Sequence, residues 1–214
     1  MSTLFLAKDT DWCRRAEALV TAALSDVTVC MGEVGDQLPA QAASWKGDHI
    51  ISFVSPWIVP ASLLERAGRA AINFHPGPPE YPGIGCYNFA LYDEVAEYGV
   101  TCHHMASKVD TGQIVEVARF PVTLEDSVAT LKDRSMAAML ALLARFLDVL
   151  AEGGDLPSSA EKWRRRPFTR MELNELGRVT ATMSDDEVRR RFRAVHFPGY
   201  PGAFVEIGGV TFRA

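Results

Sequence analysis

Segments typical of buried strands alternate with segments of helical spacing along the first 150 residues of the chain. Strands that alternate with helices favour a mostly parallel sheet with helices on both faces, because a parallel connection needs a crossover. The sequence therefore predicts an α/β fold with a Rossmann-like sheet. The expected strands are Leu4–Ala7, Val27–Met31, His49–Ser55, Ala70–Phe74, Gly99–Met105 and Gln113–Pro121, and the expected helices are Trp12–Leu24, Pro39–Trp45, Pro60–Ala67, Tyr87–Tyr98 and Ser127–Leu150.

The C-terminal part of the chain has signals of its own. Gly153-Gly154 closes the alternating region, so we expect a main domain over residues 1–155 and an extension over residues 156–214. A capping box at Ser184 predicts a short helix that continues to Arg193. Two apolar segments separated by a pair of glycines predict a β-hairpin after it, formed by Val205–Ile207 and Val210–Phe212.

Charge and cysteine content disfavour several classes of protein. The net charge is −5, and no basic segment is longer than Arg164-Arg165-Arg166, which weakens nucleic acid as a partner. No signal peptide follows the N-terminus, and no apolar segment reaches the roughly 20 residues of a membrane span. We therefore expect a cytosolic protein that binds neither a membrane nor nucleic acid. The cysteines lie far apart without a CxxC pair, which is typical of reduced thiols: Cys13, Cys30, Cys86 and Cys102.

Two stretches carry side chains suited to catalysis. Asn73 and His75 are two residues apart at the end of an expected strand, so they face the same way at the edge where open α/β sheets bind ligands. A proline- and glycine-rich loop follows at once and must be rigid and exposed. Asp110 lies in a polar loop between two further strands. Each residue alone has an ordinary explanation, a satisfied strand-end histidine or an Asp-x-Gly turn.

Together the two stretches resemble the folate-dependent formyltransferase family, which includes glycinamide ribonucleotide formyltransferase, methionyl-tRNA formyltransferase and the nucleotide-sugar N-formyltransferases. The family's pattern is Asn-x-His, a proline/glycine loop, Gly-Val-Thr-x-His and Asp-x-Gly-x-Ile. The likeness covers roughly Asp48 to Pro121 and resumes over Arg191–Ala203. The matching residues occur in the same order and at similar spacing: Asn73, His75, Gly99-Val100-Thr101, His103, Asp110, Gly112 and Ile114.

The resemblance implies that Asn73, His75 and Asp110 are catalytic and that N10-formyltetrahydrofolate is the co-substrate. The residue types suit formyl transfer. The amide of Asn73 can stabilise the negative charge that develops on the formyl oxygen. His75 can donate to the same oxygen or accept the proton that the amine loses. Asp110 would orient His75 and hold the water or amine through which protons leave.

The resemblance also implies where the folate binds. Backbone from Trp57 to Val59 and from the loop after Met105 would read the pterin edge, while Trp57 and Ile58 would wall its flat face. The alternative, that the side chains of Phe53, Trp57 and Ile58 simply belong to the core, stays open. Ile84 stands where several relatives have an arginine, so any contact made by that arginine is absent here. The expected folate contacts are Phe53, Trp57, Ile58, Val59, Ala106, Ser107, Lys108 and Val109.

The amine acceptor is less constrained. Methionyl-tRNA formyltransferase carries a further, usually basic, domain, and glycinamide ribonucleotide formyltransferase has a glycine-rich loop where this chain has Ala7–Asp11. We therefore expect the amino group of a nucleotide-linked sugar, a 4-amino sugar first of all. Two other readings remain, a hydrolase that releases formate from the folate and a non-catalytic folate-binding module. The loop and helix after His75 would shape the sugar pocket, through Pro78, Tyr81, Tyr87 and Asn88.

Two further expectations concern metals and subunits. The adjacent His103 and His104 point to opposite faces of a strand, and no spacing matches a zinc site, so no metal is expected. The C-terminal helix carries an apolar stripe formed by Val188, Phe192 and Val195. This tail should dock on a protein surface, either on its own core or on a partner subunit in a homodimer.

Overall fold

The structure, a computed structural model, describes residues 1–214 and contains a six-stranded sheet and a separate two-stranded hairpin. Helices cover both faces of the large sheet, so the predicted α/β class is confirmed. The strands are β1 Ser2–Lys8, β2 Asp26–Gly32, β3 Gly47–Phe53, β4 Ala67–His75, β5 Glu97–His104, β6 Ile114–Pro121, β7 Phe204–Ile207 and β8 Val210–Arg213. The helices are α1 Asp11–Ala23, α2 Ala40–Ala43, α3 Ala61–Leu64, α4 Cys86–Tyr92, α5 Val128–Ala151, α6 Arg170–Leu176 and α7 Asp185–Val195.

The order of the large sheet is β2-β1-β3-β4-β5-β6. The first four strands run parallel, and β5 and β6 are antiparallel to their neighbours. The parallel strands β1, β3 and β4 therefore end at one edge of the sheet, where ligand crevices form in open α/β folds. β5 runs the opposite way beside β4 and places His103 directly opposite Asn73. Two distant parts of the chain thus meet at one point.

The sheet is buried on both faces. On one face α1 and α5 cover the largest apolar cluster, which includes Phe5, Phe53 and Phe74. On the other face the short helices α2 and α3 cover a smaller cluster around Trp45 and Leu63. Helix α5 begins at a capping box in which Ser127 and Thr130 satisfy each other's backbone N–H groups. No helix combines the length and the apolar character that a membrane crossing requires.

Three helices differ from the sequence-based expectation. The helix expected over Pro60–Ala67 ends at Leu64, and Ala67 already belongs to β4. The helix expected over Tyr87–Tyr98 begins at Cys86 but ends at Tyr92, because Glu94 adopts a left-handed conformation (φ 54°) and β5 starts three residues later. The apolar pattern predicts no helix at α6, although Thr169 and Glu172 form a capping box there. Its seven residues are too few to show a clear apolar period.

All four cysteines are free and buried. Burial raises the pKa of each thiol, and for Cys86 the value rises to about 12. Because the thiolate is the reactive form of cysteine, none of the four is prepared as a nucleophile at neutral pH.

The C-terminal helix α7 packs on α4 of the same chain. Asn88 donates to the backbone oxygen of Ala194, and Tyr92 donates to Glu187. The expected stripe is only partly right, because Val195 is buried but Phe192 is exposed and stacks on the ring of His196. Arg191 joins α7 to the end of α6, because its guanidinium donates to three backbone oxygens there: those of Glu175, Leu176 and Arg178.

The segment between α5 and α6, residues 152–169, runs back across the main domain. Its backbone N–H groups at Ser159, Arg164 and Phe168 donate to the backbone oxygens of Ile114, Pro79 and Pro82. The division of the chain at residue 155 stays a proposal, and these hydrogen bonds join the two expected parts. We call residues 156–169 the return segment.

A buried histidine at the opposite end of the sheet should make folding sensitive to pH. His49 is 2% exposed, and its Nδ1 has no hydrogen-bond partner. Burial, with a smaller effect of the charge on Arg69, lowers the pKa of this ring. The folded ring therefore stays neutral where the unfolded chain takes up a proton, so stability is complete above pH about 6.5 and falls as the pH is lowered through that value.

We expect His49→Leu to weaken the fall of the melting temperature between pH 7 and pH 5. Thermal unfolding of both proteins at half-unit pH steps measures the effect. The exposed His196 provides the matched control, and His196→Leu should keep the pH dependence of the wild type. Identical curves for wild type and His49→Leu would show that another group causes the acid sensitivity.

Candidate active site

A cavity of about 330 Å³ opens at the carboxyl edge of the large sheet. It lies between the ends of β1, β3 and β4 and the loop that joins β5 to β6. A cavity of this size, lined by apolar walls with a few convergent polar groups, is typical of small-molecule sites. The polar side chains at the strand ends are Lys8, Ser52, Asn73, His75, His103 and Asp110.

Asn73 is held on both sides of its carboxamide. Ser52, its neighbour on β3, donates to Oδ1 over 2.7 Å, and Nδ2 lies 3.1 Å from Nε2 of His103. The carboxamide nitrogen carries two hydrogens. Since one is directed at His103, the other is available to a ligand in the cavity.

Asp110 is the centre of the cluster. One carboxylate oxygen lies 3.3 Å from Nδ1 of His75 and accepts from the backbone N–H of Gly83 over 2.8 Å, and the other lies 3.3 Å from Nε2 of His103. Burial alone would raise the pKa of this carboxyl, but the charge of His75 and the hydrogen bond from His103 lower the pKa to about 2. Asp110 therefore remains a carboxylate at neutral pH.

Asp110 is also in an unusual backbone conformation, with φ of 48°. Aspartate and asparagine adopt this left-handed region more readily than other residues, apart from glycine. A second residue of the cavity lining, Val54, has φ of 52°, which is strained for a β-branched side chain. Strained residues of this kind are concentrated at functional sites.

The two histidines face more acceptors than neutral rings can satisfy. His75 has Asp110 at Nδ1 and the backbone oxygen of Tyr81, 3.1 Å away, at Nε2. His103 has the backbone oxygen of His104, 2.8 Å away, at Nδ1, so that nitrogen carries hydrogen. Its Nε2 then either accepts from Asn73 or, when protonated, donates to Asp110. Whether Nε2 carries a proton therefore decides whether His103 is hydrogen-bonded to Asn73 or to Asp110.

These contacts do not form a metal centre. The carboxylate lies between the two rings, with one oxygen directed at each. No group of three or more His, Cys, Asp or Glu side chains in the structure is arranged to hold a metal ion. Metal-independent activity stays a prediction.

The residues expected to bind folate mostly line the cavity. Trp57, Ile58 and Val59 form one wall, and the loop from Ala106 to Val109 forms the opposite one. Phe53 is the exception. Its side chain is fully buried on the other side of the strand, with its ring centroid 5.8 Å from that of Phe74. Phe53 therefore belongs to the core and not to the cavity wall.

The four residues expected to bind the acceptor do not line the cavity. Tyr81 turns away and donates to Asp93 over 2.8 Å, and Asn88 is used by α7. Tyr87 packs near the ring of Tyr98, and Pro78 is buried in the loop. The loop instead presents Ile84 to the cavity, between Gly83 and Gly85, whose φ values of 86° and 79° suit glycine.

Sequence reasoning overlooked three contributors to the site. His103 was part of the matched motif but was given no role, although the register of β4 and β5 places it beside Asn73. Ser52 could have been found by the same argument, because β3 pairs with β4 at Asn73. The third is Trp163, whose ring contacts those of His103 and His75. It could not have been found, because nothing local in the sequence shows that the return segment comes back to the histidines.

The family model and the individual relatives that match this chain agree with each other. The family model described as formyl transferase matches residues 32–147, more than half of the chain. Methionyl-tRNA formyltransferase from Geobacillus thermodenitrificans is 29% identical over 159 residues, which cover 73% of this chain and 49% of that protein. GDP-perosamine N-formyltransferase from Brucella melitensis is 28% identical over 171 residues, which cover 79% of this chain and 65% of that protein. The chain thus spans about half to two thirds of these relatives.

Solved structures show the same fold. An N-formyltransferase from Helicobacter canadensis, solved with folinic acid and dTDP-3-aminofucose, superposes with a TM-score of 0.75 at 17% identity. The likeness covers 98% of this chain and 85% of that one. It therefore includes the C-terminal helix and most or all of the hairpin as well as the large sheet.

Proposed function

Because the chain belongs to the formyl transferase family, we propose that it is an N-formyltransferase that moves the formyl group of N10-formyltetrahydrofolate to an amine. The observation that carries this proposal is that Asn73, His75 and Asp110 line one cavity, where Asp110 contacts His75 directly and reaches Asn73 through His103. An amide, an imidazole and a carboxylate in this arrangement suit direct acyl transfer. The amine itself attacks the formyl carbon, so neither a serine or cysteine nucleophile nor a covalent intermediate is needed.

The residues divide the reaction between them. Negative charge develops on the formyl oxygen as the amine nitrogen approaches the formyl carbon, and the free N–H of Asn73 can donate to it. The amine loses a proton as its bond to the carbon forms, and the folate nitrogen gains a proton as its bond to that carbon breaks. His75 either accepts the proton that the amine loses or donates to the oxygen. Asp110, ionised and hydrogen-bonded to Gly83, fixes the ring of His75 for either role.

The cavity walls fit a reduced folate. Trp57 and Ile58 offer apolar surface to a flat ring. The backbone N–H groups of residues 106–110 donate to no acceptor in the structure, although these residues line the cavity. Unpaired backbone donors facing a cavity can read the polar edge of a heterocycle. When bound, the folate supplies the activated formyl group.

Turnover of formyltetrahydrofolate with and without a panel of amines tests the proposal. We expect amine-dependent formation of tetrahydrofolate that survives dialysis against a strong chelator. Formate release that does not depend on the amine would identify a hydrolase instead. Binding without turnover would identify a folate-binding module, and activity lost on chelation and restored by zinc would overturn the metal-free mechanism.

We infer that the acceptor is the amino group of a nucleotide-linked sugar. The support comes from the Brucella relative, which is named for GDP-perosamine, and from the Helicobacter structure, which was solved with a dTDP-amino sugar. The Geobacillus relative favours aminoacyl-tRNA as the second candidate. The net charge of −5 weighs against it, because tRNA binding relies on basic surface. The panel should therefore contain 3- and 4-amino nucleotide sugars, glycinamide ribonucleotide and methionyl-tRNA.

Asp110→Asn should lower kcat while folate binding stays close to that of the wild type. Asparagine tolerates the left-handed backbone at this position, so the exchange removes the charge with little effect on the loop. Loss of the carboxylate removes the partner that orients His75 and His103. The pH dependence of kcat and the Kd for the folate separate the two effects. A pH profile that matches the wild type would mean that Asp110 does not tune the histidines.

We further propose that the hairpin forms a homodimer. Val205, Ile207, Val210 and Phe212 lie on one face of β7 and β8, because directly opposite residues share a face. Three of them are more than half exposed, whereas the ring of Phe204 on the other face lies against the guanidinium groups of Arg178 and Arg213. A two-stranded sheet with an uncovered apolar face is marginal in water, and a second copy of the hairpin would cover it.

Ile207→Lys combined with Phe212→Lys should convert the dimer to a monomer without unfolding the chain. Light scattering at micromolar concentration measures the mass of each protein. Val34→Lys introduces a charge at another exposed apolar residue and should leave the mass unchanged. A wild-type chain that is monomeric under these conditions would exclude the dimer.

A further inference from the structure

The return segment connects the two loops that hold the catalytic cluster. Arg164 and Phe168 bond to the loop after His75, at Pro79 and Pro82, and the backbone of Ile84 donates to Phe168. The backbone N–H of Ser159 donates to the backbone oxygen of Ile114, which directly follows the loop that carries Asp110.

Trp163 is the residue of the return segment that reaches the histidines. Its indole ring lies nearly perpendicular to the ring of His103, with centroids 5.0 Å apart, and its edge contact with His75 has a centroid distance of 5.9 Å. Its Nε1 donates over 2.8 Å to the backbone oxygen of Gly112, two residues after Asp110. One side chain therefore contacts both rings and fixes the loop that carries the carboxylate.

Trp163 lies outside the cavity lining. His75 and His103, which its ring contacts, both line the cavity. An aromatic ring beside an imidazole interacts with its charge and restricts its rotation. The ionisable groups coupled to the two rings are Asp110 and, beside His103, His104. Trp163 is thus placed to influence how these groups share protons.

We propose that Trp163 is a positioning residue of the active site, acting through His75, His103 and the Asp110 loop. The statement about catalysis rests on the proposed formyl transfer, whereas the effect on the histidine rings does not. The return segment then belongs to the working active site, although it follows the main domain in the sequence. The role differs from ordinary packing, because it predicts changes in the titration of two specific rings.

Three substitutions separate the contributions of Trp163. Trp163→Ala removes the ring, Trp163→Leu keeps apolar bulk without an aromatic face, and Trp163→Phe keeps the aromatic face but loses the N–H bond to Gly112. Trp12→Ala is the control, because Trp12 also donates through its indole nitrogen, to Asp133, but lies on α1. The histidine ring signals are followed by NMR against pH and assigned with His75→Gln and His103→Gln.

We expect the Ala and Leu variants to shift the titration of both rings and to lower kcat by about 10- to 100-fold, with the KM for the formyl donor within about twofold of wild type. Trp163→Phe should recover most of the titration behaviour, and Trp12→Ala should leave it unchanged. If Trp163→Ala does not fold, the comparison of Trp163→Leu with the wild type tests the proposal.

Ring titrations that stay at their wild-type positions in the Leu variant would overturn the proposal, as would an equal shift in Trp12→Ala. The outcome is distinguishable from a failure of the proposed function. A wild-type protein without formyl transfer would leave the NMR comparison intact, and the same spectra would still report whether Trp163 positions the two rings.

Discussion

Asn73→Ala and His75→Ala are each expected to reduce formyl transfer by about 100-fold or more while the chain stays folded. Removing one preorganised donor to a developing oxyanion typically has an effect of this size. Asn73 is held by Ser52 and His103, so its free N–H has a fixed direction into the cavity. His75 is fixed by Asp110 and by the backbone of Tyr81. Neither side chain is part of the apolar clusters that hold the sheet.

The test measures kcat and kcat/KM for each variant beside circular dichroism and thermal unfolding. Asn174→Ala and His196→Ala change the same residue types away from the cavity and should keep wild-type rates. Near-normal kcat in both cavity variants would remove Asn73 and His75 from the mechanism. A loss of folding in either one would be seen in the spectra, and Asn73→Ser or His75→Gln would then replace it.

Gly112→Ala should abolish most of the activity and lower the melting temperature as well. A Cβ at this position would overlap the backbone oxygen of His104, which is the acceptor for Nδ1 of His103. Backbone cannot yield as a flexible side chain can, so the loop must move. The backbone oxygen of Gly112 also accepts from Trp163, and Asp110 is only two residues away. A displacement of about 1 Å in such a site can reduce the rate about 100-fold.

Gly68→Ala provides the matched control. A Cβ at Gly68 would meet only the backbone oxygen of Gly47, at an ordinary contact distance of 3.5 Å. We expect Gly68→Ala to keep wild-type activity and Gly112→Ala to lose it. Normal kcat in Gly112→Ala would show that the Asp110 loop accommodates the methyl group and that the close approach to His104 is not required.

The sequence predicts the centre of the site better than its periphery. Asn73 and His75 could be placed because side chains alternate along a strand and parallel strands end at one edge. His103 lies on the strand next to that of Asn73, and Asp110 lies in the loop that follows it. Tyr81 and Asn88 could not be placed, because they lie in a loop and a short helix whose path depends on tertiary contacts with Asp93 and Ala194. Trp163 depends on hydrogen bonds between segments about 80 residues apart, such as that of Arg164 with Pro79.

The stripe on α7 shows the same limit for a helix. Periodicity predicts which residues can form one face, and Val195 is buried as expected. It does not show which face is turned inward when a long polar side chain competes. Arg191 faces the end of α6 and donates to the backbone oxygens of Leu176 and Arg178, which accept from no backbone N–H, while Phe192 beside it is exposed.

The pairing of Asn73 with His103 across β4 and β5 limits how chains of this kind can diverge. Side chains alternate between the faces of a sheet, so a single-residue insertion inside either strand would turn one of the pair away from the cavity. Selection should therefore remove insertions from the strands and allow them to accumulate in the connections. The cavity mouth is built from such connections, at Ile58, Ile84 and Val109. Changes at the cavity mouth are thus uncoupled from the pairing of Asn73 with His103, and a lineage can alter what the mouth contacts without rebuilding that pair.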